Sequence, residues 1–276
     1  MQRQQQTIAT GLGFPEGPRW HEGRLYFSDF SRRVVNCLGP GNRLEVVARV
    51  ANQPSGLGWL PDGRMLIVSM LDHRVLRLEE DGTLAEHADL SALATGPCND
   101  MVVDASGRAY VGNFGANSVS LDSRVTASLA RVDADGSVSE AASDLLFPNG
   151  AVITPDGGTL IIAETFARRL SAFDIDSRGG LSNRRLWADL GSLPPDGICI
   201  DREGAIWAAT IFNEVVRVRE GGEIVDRITV DTGVYACALG GRDGKSLFLC
   251  TAPAPGPRLP GDGSLLEIRV QVPAMS

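Results

Sequence analysis

The chain has 276 residues, 43% of them hydrophobic and 22% charged, which is ordinary for a globular protein with a full core. Its formal net charge of −8 argues against binding nucleic acid or an anionic membrane surface through a general electrostatic field. No apolar run approaches the roughly 20 residues that a membrane span needs. We therefore predict neither a nucleic-acid partner nor a membrane.

The N-terminal sequence and the cysteines indicate the cellular compartment of the protein. The opening residues, MQRQQQTIAT, contain no apolar segment of the kind found in signal peptides. The five cysteines are odd in number and form no C-x-x-C pair, and three of them (Cys37, Cys199 and Cys250) lie in apolar, strand-like runs. We predict buried, reduced thiols and a cytoplasmic protein.

Six segments of the chain resemble one another, and each has a bend, a short apolar run, a glycine turn and a second apolar run. In chain order they begin FPEGPRW, QPSGLGW, PCNDMVV, FPNGAVI, PPDGICI and GVYACAL. We call the third residue of each segment its anchor. The anchors, spaced by 39 to 50 residues, are Glu16, Ser55, Asn99, Asn149, Asp196 and Tyr235.

The run after each glycine turn is predicted to be a strand, over residues 25–28, 65–69, 109–112, 159–163, 206–210 and 247–251. A third strand (for example 75–78) and a more polar fourth strand (for example 44–48) follow in each repeat. Helical periodicity of useful length is absent. Four antiparallel strands per unit of about 40–50 residues are typical of propeller blades. The sequence thus predicts an all-β, six-bladed β-propeller that forms one domain over residues 1–276.

The two ends of the chain predict how the ring closes. After the last third strand, 265–270, six residues remain, so blade six has no outer strand of its own. Residues 5–10 precede the first anchor and have no other assignment. We predict that this N-terminal strand completes blade six and removes its open edge.

The first strand of each blade in a propeller lines the central channel, so the six anchors should form a ring at one mouth. All six carry oxygen, and two are carboxylates. Converging carboxylate and amide oxygens suit a hard cation such as Ca²⁺, Mg²⁺ or Mn²⁺. Without a cation, the two carboxylates would repel each other and one pKa would rise. Ser55 and Tyr235 are better explained as channel lining than as ligands.

A turn role is the alternative for two anchors, because Asn149-Gly150 and Asp196-Gly197 are common turn dipeptides. The hairpin turns of the repeat, however, fall seven to nine residues after each anchor. Asn149 and Asp196 are therefore in phase with Glu16.

Other catalytic motifs are absent from the sequence, which contains no G-x-S-x-G elbow and no Walker loop. The histidines at 21, 73 and 87 are predicted in a turn, a loop and an outer strand at the surface, which disfavours a His-based triad or a zinc site.

The chain resembles the senescence marker protein (regucalcin), gluconolactonase and luciferin-regenerating-enzyme family. The matching motifs are EGPRWHEGRLYFSD, CNDMVVDASGRAYVGN, FPNGAVITPDGGTLIIAET, DGICIDREGAIWAA and YACALGG. The resemblance implies one divalent cation held by Glu16, Asn149 and Asp196, with Asn99 contacting the substrate, or the metal through water. It also implies lactone hydrolysis, with a metal-polarised carbonyl and Asp196 as base or nucleophile. Ca²⁺ is expected, and Mg²⁺, Mn²⁺, Fe²⁺ and Zn²⁺ stay open.

The sequence differs from the family pattern at positions expected to bind the substrate. Animal members with aldonolactonase activity carry an Arg at the position of Pro97, which Cys98 follows here, and acidic residues where this chain has NFGAN with Phe114. We therefore hypothesise a less polyhydroxylated, more apolar lactone or ester, bound by Cys98, Asn99, Phe114 and Tyr235.

The long loops 113–128 and 252–264, together with Phe166 and Phe212, are predicted to wall or cover the site. Rival functions are a phosphotriesterase-like hydrolase, a strictosidine-synthase-like condensing enzyme and a non-catalytic propeller that binds calcium or a protein. The oligomeric state is not predicted.

Overall fold

The structure is a computed structural model that describes residues 3–116, 124–254 and 261–275. The described strands form six four-stranded antiparallel sheets. The first strands of neighbouring sheets contact one another in a closed cycle, so the sheets form a ring around a channel. The predicted six-bladed β-propeller is confirmed.

The strands are numbered in chain order, and β1 spans Gln5–Leu12. Blade one consists of β2 (Pro15–His21), β3 (Arg24–Asp29), β4 (Val34–Leu38) and β5 (Leu44–Arg49). Blade two consists of β6 (Pro54–Trp59), β7 (Met65–Ser69), β8 (Arg74–Leu78) and β9 (Leu84–Asp89). Blade three consists of β10 (Cys98–Val103), β11 (Ala109–Asn113), β12 (Ala127–Val132) and β13 (Val138–Leu145).

Blade four consists of β14 (Pro148–Ile153), β15 (Thr159–Glu164), β16 (Arg169–Ile175) and β17 (Leu181–Asp189). Blade five consists of β18 (Ile198–Ile200), β19 (Ile206–Ala209), β20 (Glu214–Val218) and β21 (Ile224–Thr229). Blade six consists of β22 (Gly233–Gly240), β23 (Ser246–Ala252), β24 (Gly263–Arg269) and β1. Two single-turn 3₁₀ helices, Pro40–Asn42 and Thr165–Ala167, are the helical segments of the described residues.

The second strands are among the most buried strands because neighbouring blades pack against both of their faces. Every residue of β7, β19 and β23 is buried, whereas five of the nine residues of the outer strand β17 are exposed. This is why the second strands read as continuous apolar runs in the sequence and the outer strands as polar, alternating ones.

Blade six closes the ring as predicted. β1 pairs antiparallel with β24 and takes the outer position of the sheet β22-β23-β24-β1. Ile8 and Leu12 of β1 are buried in an apolar cluster with Leu25 and Phe27 of blade one. The N-terminal strand thus supplies both the missing hydrogen bonds and core contacts that hold the first blade to the last.

Leu12→Ala is expected to lower the free energy of unfolding by about 2–5 kcal/mol, because it leaves a cavity where the two ends of the chain meet. Chemical denaturation measures this value. Thr10→Ala on the same strand, at an exposed position, is the matched control and should change little. Equal effects of the two substitutions would contradict the role of β1 in closing the ring.

The cysteines and one histidine lie only partly where the sequence predicts. All five cysteines are free, and Cys199 alone is partly exposed while the others are buried. The expectation of a surface position is wrong for His87, which is buried on β9. The Gly136 turn of blade three packs on its backbone, so closely that a Cβ added to Gly136 would lie 2.3 Å from the His87 carbonyl oxygen. Among the described residues, no helix has the length and apolar character to cross a bilayer.

Candidate active site

The six anchors lie at the same end of the first strands. Five are within these strands and Asp196 lies two residues before β18. In five blades the pairing of the first strand with the second shifts by one residue at or beside the anchor. A bulge of this kind breaks the regular alternation of side chains and re-aims one of them. The repeated motif therefore produces a repeated irregularity at the channel mouth.

Glycines after the anchors let the first strands approach one another closely. A Cβ added to Gly56 would lie 2.3 Å from the backbone nitrogen of Met101 in blade three. A Cβ on Gly150 would lie 2.6 Å from the nitrogen of Ile198 in blade five. Since no side chain fits in these spaces, the anchor–Gly dipeptides serve blade-to-blade packing rather than hairpin turns.

Hydrogen bonds join the anchors of blades two, three and four. The Ser55 hydroxyl donates to Asn99 Oδ1 at 3.2 Å, and Asn99 Nδ2 donates to Asn149 Oδ1 at 2.8 Å. The Asn149 amide also lies near enough to Asp196 of blade five to oppose the rise in the pKa of that carboxyl. The structure thus connects three of the predicted anchors, all buried, through hydrogen bonds and places Asp196 beside them.

Thr165 fixes the orientation of the Asn149 amide. Its hydroxyl donates to the Pro195 carbonyl at 2.7 Å and accepts from Asn149 Nδ2 at 3.2 Å. A threonine hydroxyl has a single proton, so it can only accept from Asn149. Asn149 Oδ1 is therefore directed away from Thr165 and toward Asn99 and the ring. Thr165 follows the second strand in the motif AETF, and the repeat pattern did not single it out.

The Glu16 and Asp196 carboxyls both have raised pKa values, and the Glu16 charge contributes to the rise at Asp196. Burial is the largest cause for both, and it raises the pKa of Glu16 to about 8 although this side chain keeps some contact with solvent. Burial and then the Glu16 charge raise the pKa of Asp196 well above its usual value. The hydrogen bond from the Gly17 nitrogen to Glu16 and the nearby Asn149 amide oppose these shifts without cancelling them. Each carboxyl binds a proton far more readily than in water, unless a cation takes the proton's place.

The predicted ligand set fits a hard divalent cation. Two carboxylates balance its charge, and the oriented amide oxygen of Asn149 adds a neutral ligand of the same type. Within the described ranges, no three His, Cys, Asp or Glu side chains cluster as a metal site. The candidate site thus consists of two acids and an amide, with the Asn99 amide beside them.

An ion pair that the sequence did not predict lies beside the ring. Arg19 of blade one donates through Nη2 to Asp100 Oδ1 and to the Met101 carbonyl of blade three, both at 2.6 Å. Both side chains are largely buried, and the Asp100 charge adds to the raised pKa values of Glu16 and Asp196. Strict strand alternation would place Asp100 opposite its neighbour Asn99. The bulge between Cys98 and Met101 removes that alternation, so both face the channel region.

Two aromatic groups flank the ring. In the first, which we call the blade-four group, the Phe147 ring contacts Phe114 and Phe166 with centroids 4.4 and 4.8 Å apart. Phe147 has a φ of 55°, which non-glycine residues rarely adopt. It lies two residues before Asn149, and its carbonyl accepts from the Thr165 backbone nitrogen at 3.1 Å. The blade-four group is therefore attached directly to the residues that orient the Asn149 amide.

The second aromatic group contains Tyr235, with Phe14 packed edge-on against it at 4.7 Å and Phe30 beyond. The Tyr235 hydroxyl donates to the Pro253 carbonyl at 3.2 Å. Burial, followed by the charges of Asp196 and Glu16, raises the pKa of Tyr235 to about 12. Tyr235 is thus a neutral, apolar wall next to the two carboxyls, with its hydroxyl already engaged.

Cys98 does not belong with the other predicted substrate-binding residues. It is buried in the apolar core between blades two and three, with Leu66 and Met101 in the same cluster. Burial raises the pKa of its thiol to about 12. The side chain points into the core because it precedes the bulge that re-aims Asn99. We therefore remove Cys98 from the candidate site.

The predicted loop walls are only partly described, because residues 117–123 and 255–260 of these loops lie outside the described ranges. Phe166 is buried at the site, whereas Phe212 is 41% exposed after β19. The idea that the two long loops cover the ring stays a prediction.

Fold and site together define a propeller protein with a ring of polar and acidic side chains at one mouth of its channel. The chain belongs to the family described as SMP-30/gluconolactonase/LRE-like region, which matches residues 14–253. Among curated proteins it is similar to a pentonolactonase from Haloferax volcanii, with 28% identity over 263 residues, 93% of this chain and 87% of that protein.

Two solved structures share the fold. A luciferin-regenerating enzyme superposes with a TM-score of 0.86 at 19% identity, covering 99% of this chain and 98% of the other. A calcium-binding protein, regucalcin, from Agrobacterium tumefaciens superposes with a TM-score of 0.84 at 24% identity, covering 100% and 96%. At these identities the structures establish the shared architecture.

Proposed function

We propose that the protein is a divalent-metal-dependent lactonase whose site is the anchor ring. The observation that carries this proposal is the pairing of Glu16 and Asp196, two carboxyls with raised pKa values, beside the oriented Asn149 amide. Such an arrangement is unfavourable unless a positive charge offsets it. Membership of a family that includes gluconolactonases, and similarity to a pentonolactonase, support a lactone as substrate.

Glu16, Asn149 and Asp196 would hold the cation, which when bound supplies Lewis-acid polarisation of the lactone carbonyl. Asp196, ionised in that state, is the carboxylate placed to accept a proton from the attacking water, or to attack the carbonyl itself. Asn99 presents its amide to the same space and binds the substrate. Thr165 keeps the Asn149 amide from rotating, and Tyr235 excludes water from one side.

Calcium is the proposed cation. All the proposed ligands are oxygen atoms, and neither histidine nor cysteine joins them, which is the donor set that calcium prefers. The structurally similar protein from Agrobacterium tumefaciens is described as calcium-binding and regucalcin. Mg²⁺, Mn²⁺, Fe²⁺ and Zn²⁺ have the same charge and are the competitors to test.

The aromatic groups support an apolar lactone. Phe114, Phe147 and Phe166 on one side and Phe14 with Tyr235 on the other offer rings rather than charged hydrogen-bonding groups. A sugar lactone carries a hydroxyl on nearly every carbon, and each hydroxyl buried without a partner costs about 1–3 kcal/mol. A lactone with an aliphatic or aromatic substituent avoids this cost and gains apolar burial.

A lactone panel tests the proposal. Chelated protein should be inactive, and one divalent cation at a time should restore hydrolysis, with aliphatic or aromatic lactones turned over faster than gluconolactone. Full activity after chelation would refute the metal dependence. Far faster hydrolysis of gluconolactone would refute the apolar substrate. Turnover of phosphotriesters alone, or calorimetric cation binding with no hydrolysis at all, would instead favour the phosphotriesterase or the non-catalytic calcium-binding propeller.

A further inference from the structure

A pair of thiols lies between blades five and six, away from the anchor ring. Cys199 is in β18 of blade five and Cys237 in β22 of blade six, and their sulfur atoms are 3.7 Å apart. The Gly197 nitrogen donates to the Tyr235 carbonyl at 2.8 Å, so the two strands run side by side. Each cysteine lies two residues beyond this hydrogen bond. The two side chains therefore meet across two adjacent first strands.

The surroundings of the pair favour sulfur chemistry over metal binding. The Cys237 thiol lies 3.3 Å from the Trp207 carbonyl and 3.6 Å from the Gly197 carbonyl. These neutral oxygens add no charged ligand, and no described His, Asp or Glu joins the two sulfurs in a metal cluster. A transition metal bound by thiolates usually needs further sulfur or imidazole ligands.

A small molecule can reach Cys199, the partly exposed member of the pair, from the end of the channel opposite the anchor ring. A cavity of about 270 Å³ there is lined by both cysteines, by Ile198 and Ile200, and by Ala274 of the C-terminal segment. Its lining residues lie further along the first strands than the anchors do. A small oxidant entering here reaches Cys199, with Cys237 directly behind it, without passing the proposed active site.

We propose that Cys199 and Cys237 form a reversible disulfide that joins blade five to blade six when the protein meets a hydroperoxide. One thiol is oxidised to a sulfenic acid while the O–O bond of the peroxide breaks and the alcohol or water leaves. The second sulfur attacks the sulfenic sulfur, forms the S–S bond and releases water. Two thiol hydrogens and two electrons are lost in total, and one peroxide is reduced. A dithiol reductant reverses the reaction.

The bond requires the sulfur atoms to move from 3.7 Å to about 2.05 Å. Burial raises the pKa of the Cys199 thiol well above its ordinary value, so the thiolate is scarce and the oxidation is slow. The disulfide closes a loop between positions 38 residues apart and therefore restricts the unfolded chain. We expect the oxidised protein to melt several degrees above the reduced protein.

Peptide mapping of the intact chain tests the proposal. The protein is exposed to hydrogen peroxide, unfolded, alkylated and cut with trypsin, which places Cys199 in peptide 186–202 and Cys237 in peptide 228–242. Each peptide contains a single cysteine. We expect a cross-linked pair of these peptides, alkylation at the other three cysteines, and loss of the cross-link with dithiothreitol.

Two cysteine variants test whether the cross-link requires Cys237 in particular. Cys98→Ser replaces another buried cysteine and should retain the cross-link, whereas Cys237→Ser should abolish it. Alkylation of all five cysteines after peroxide treatment would overturn the proposal. Sulfinic or sulfonic acid at Cys199 without a cross-link, or a cross-link to a different cysteine, would overturn it equally. The wild-type mapping needs no variant to fold and is independent of any lactonase activity.

Discussion

Asp196→Asn is expected to lower kcat for lactone hydrolysis by about 10²- to 10⁴-fold, the usual contribution of a positioned general base. The substitution keeps the size and one oxygen of the side chain but removes its charge. It therefore removes the proposed base or nucleophile and weakens cation binding while it relieves the repulsion with Glu16. The measurement is steady-state hydrolysis of the best lactone of the panel at saturating cation.

The matched control for this substitution is Asp231→Asn, at an exposed position in the turn before blade six. It should keep full activity, and both variants should show the circular dichroism of the wild type. Unchanged hydrolysis of every lactone by folded Asp196→Asn would reject the catalytic assignment. Single turnover in heavy-oxygen water separates the two roles of Asp196, because only a nucleophile acquires the label in its own carboxyl.

Metal-free protein is expected to lose stability as the pH rises from about 4.5 to about 8. The ordinary pKa of Glu16 is 4.5 and its pKa in the folded protein is about 8. Between these values the folded state holds a proton that the unfolded chain has released, so raising the pH favours unfolding. One carboxyl gives a slope of at most about 1.4 kcal/mol per pH unit. Asp196, whose pKa is raised in the same direction, adds to it.

Denaturation of chelated protein across this pH window measures the slope, and added Ca²⁺ should flatten it because the cation replaces the proton. Glu16→Gln removes one carboxyl and part of the repulsion on Asp196, so it should reduce the slope and the protection by Ca²⁺. Glu80→Gln, at an exposed position, is the control and should behave like the wild type. A slope that is the same in all three proteins would contradict the charged ring.

The sequence was informative wherever a feature repeats. Six copies of one pattern predicted six blades, and the phase of Glu16, Asn149 and Asp196 distinguished them from turn residues. The unassigned N-terminal strand predicted the closure by β1. These predictions rely on local strand patterns and on pseudo-rotation about one axis, both of which are readable without coordinates.

Other features depend on contacts between blades that no local pattern encodes. Asp100 reaches the channel through a bulge, and Cys98, one residue before Asn99, turns into the core. His87 is buried because a turn of the next blade packs on it. Thr165 acts on an amide 16 residues away in the sequence. In each case the position of a neighbouring strand decides the environment of the side chain.

The sequence by itself thus determined the number of blades, the way the ring closes and the identity of the anchors. The tertiary structure alone decided which anchors share hydrogen bonds, which way the Asn149 amide faces and that Cys199 meets Cys237. The physical reason is that periodicity fixes the position of a residue along its own strand. Distances across the channel depend instead on the close packing that Gly56 and Gly150 permit between blades.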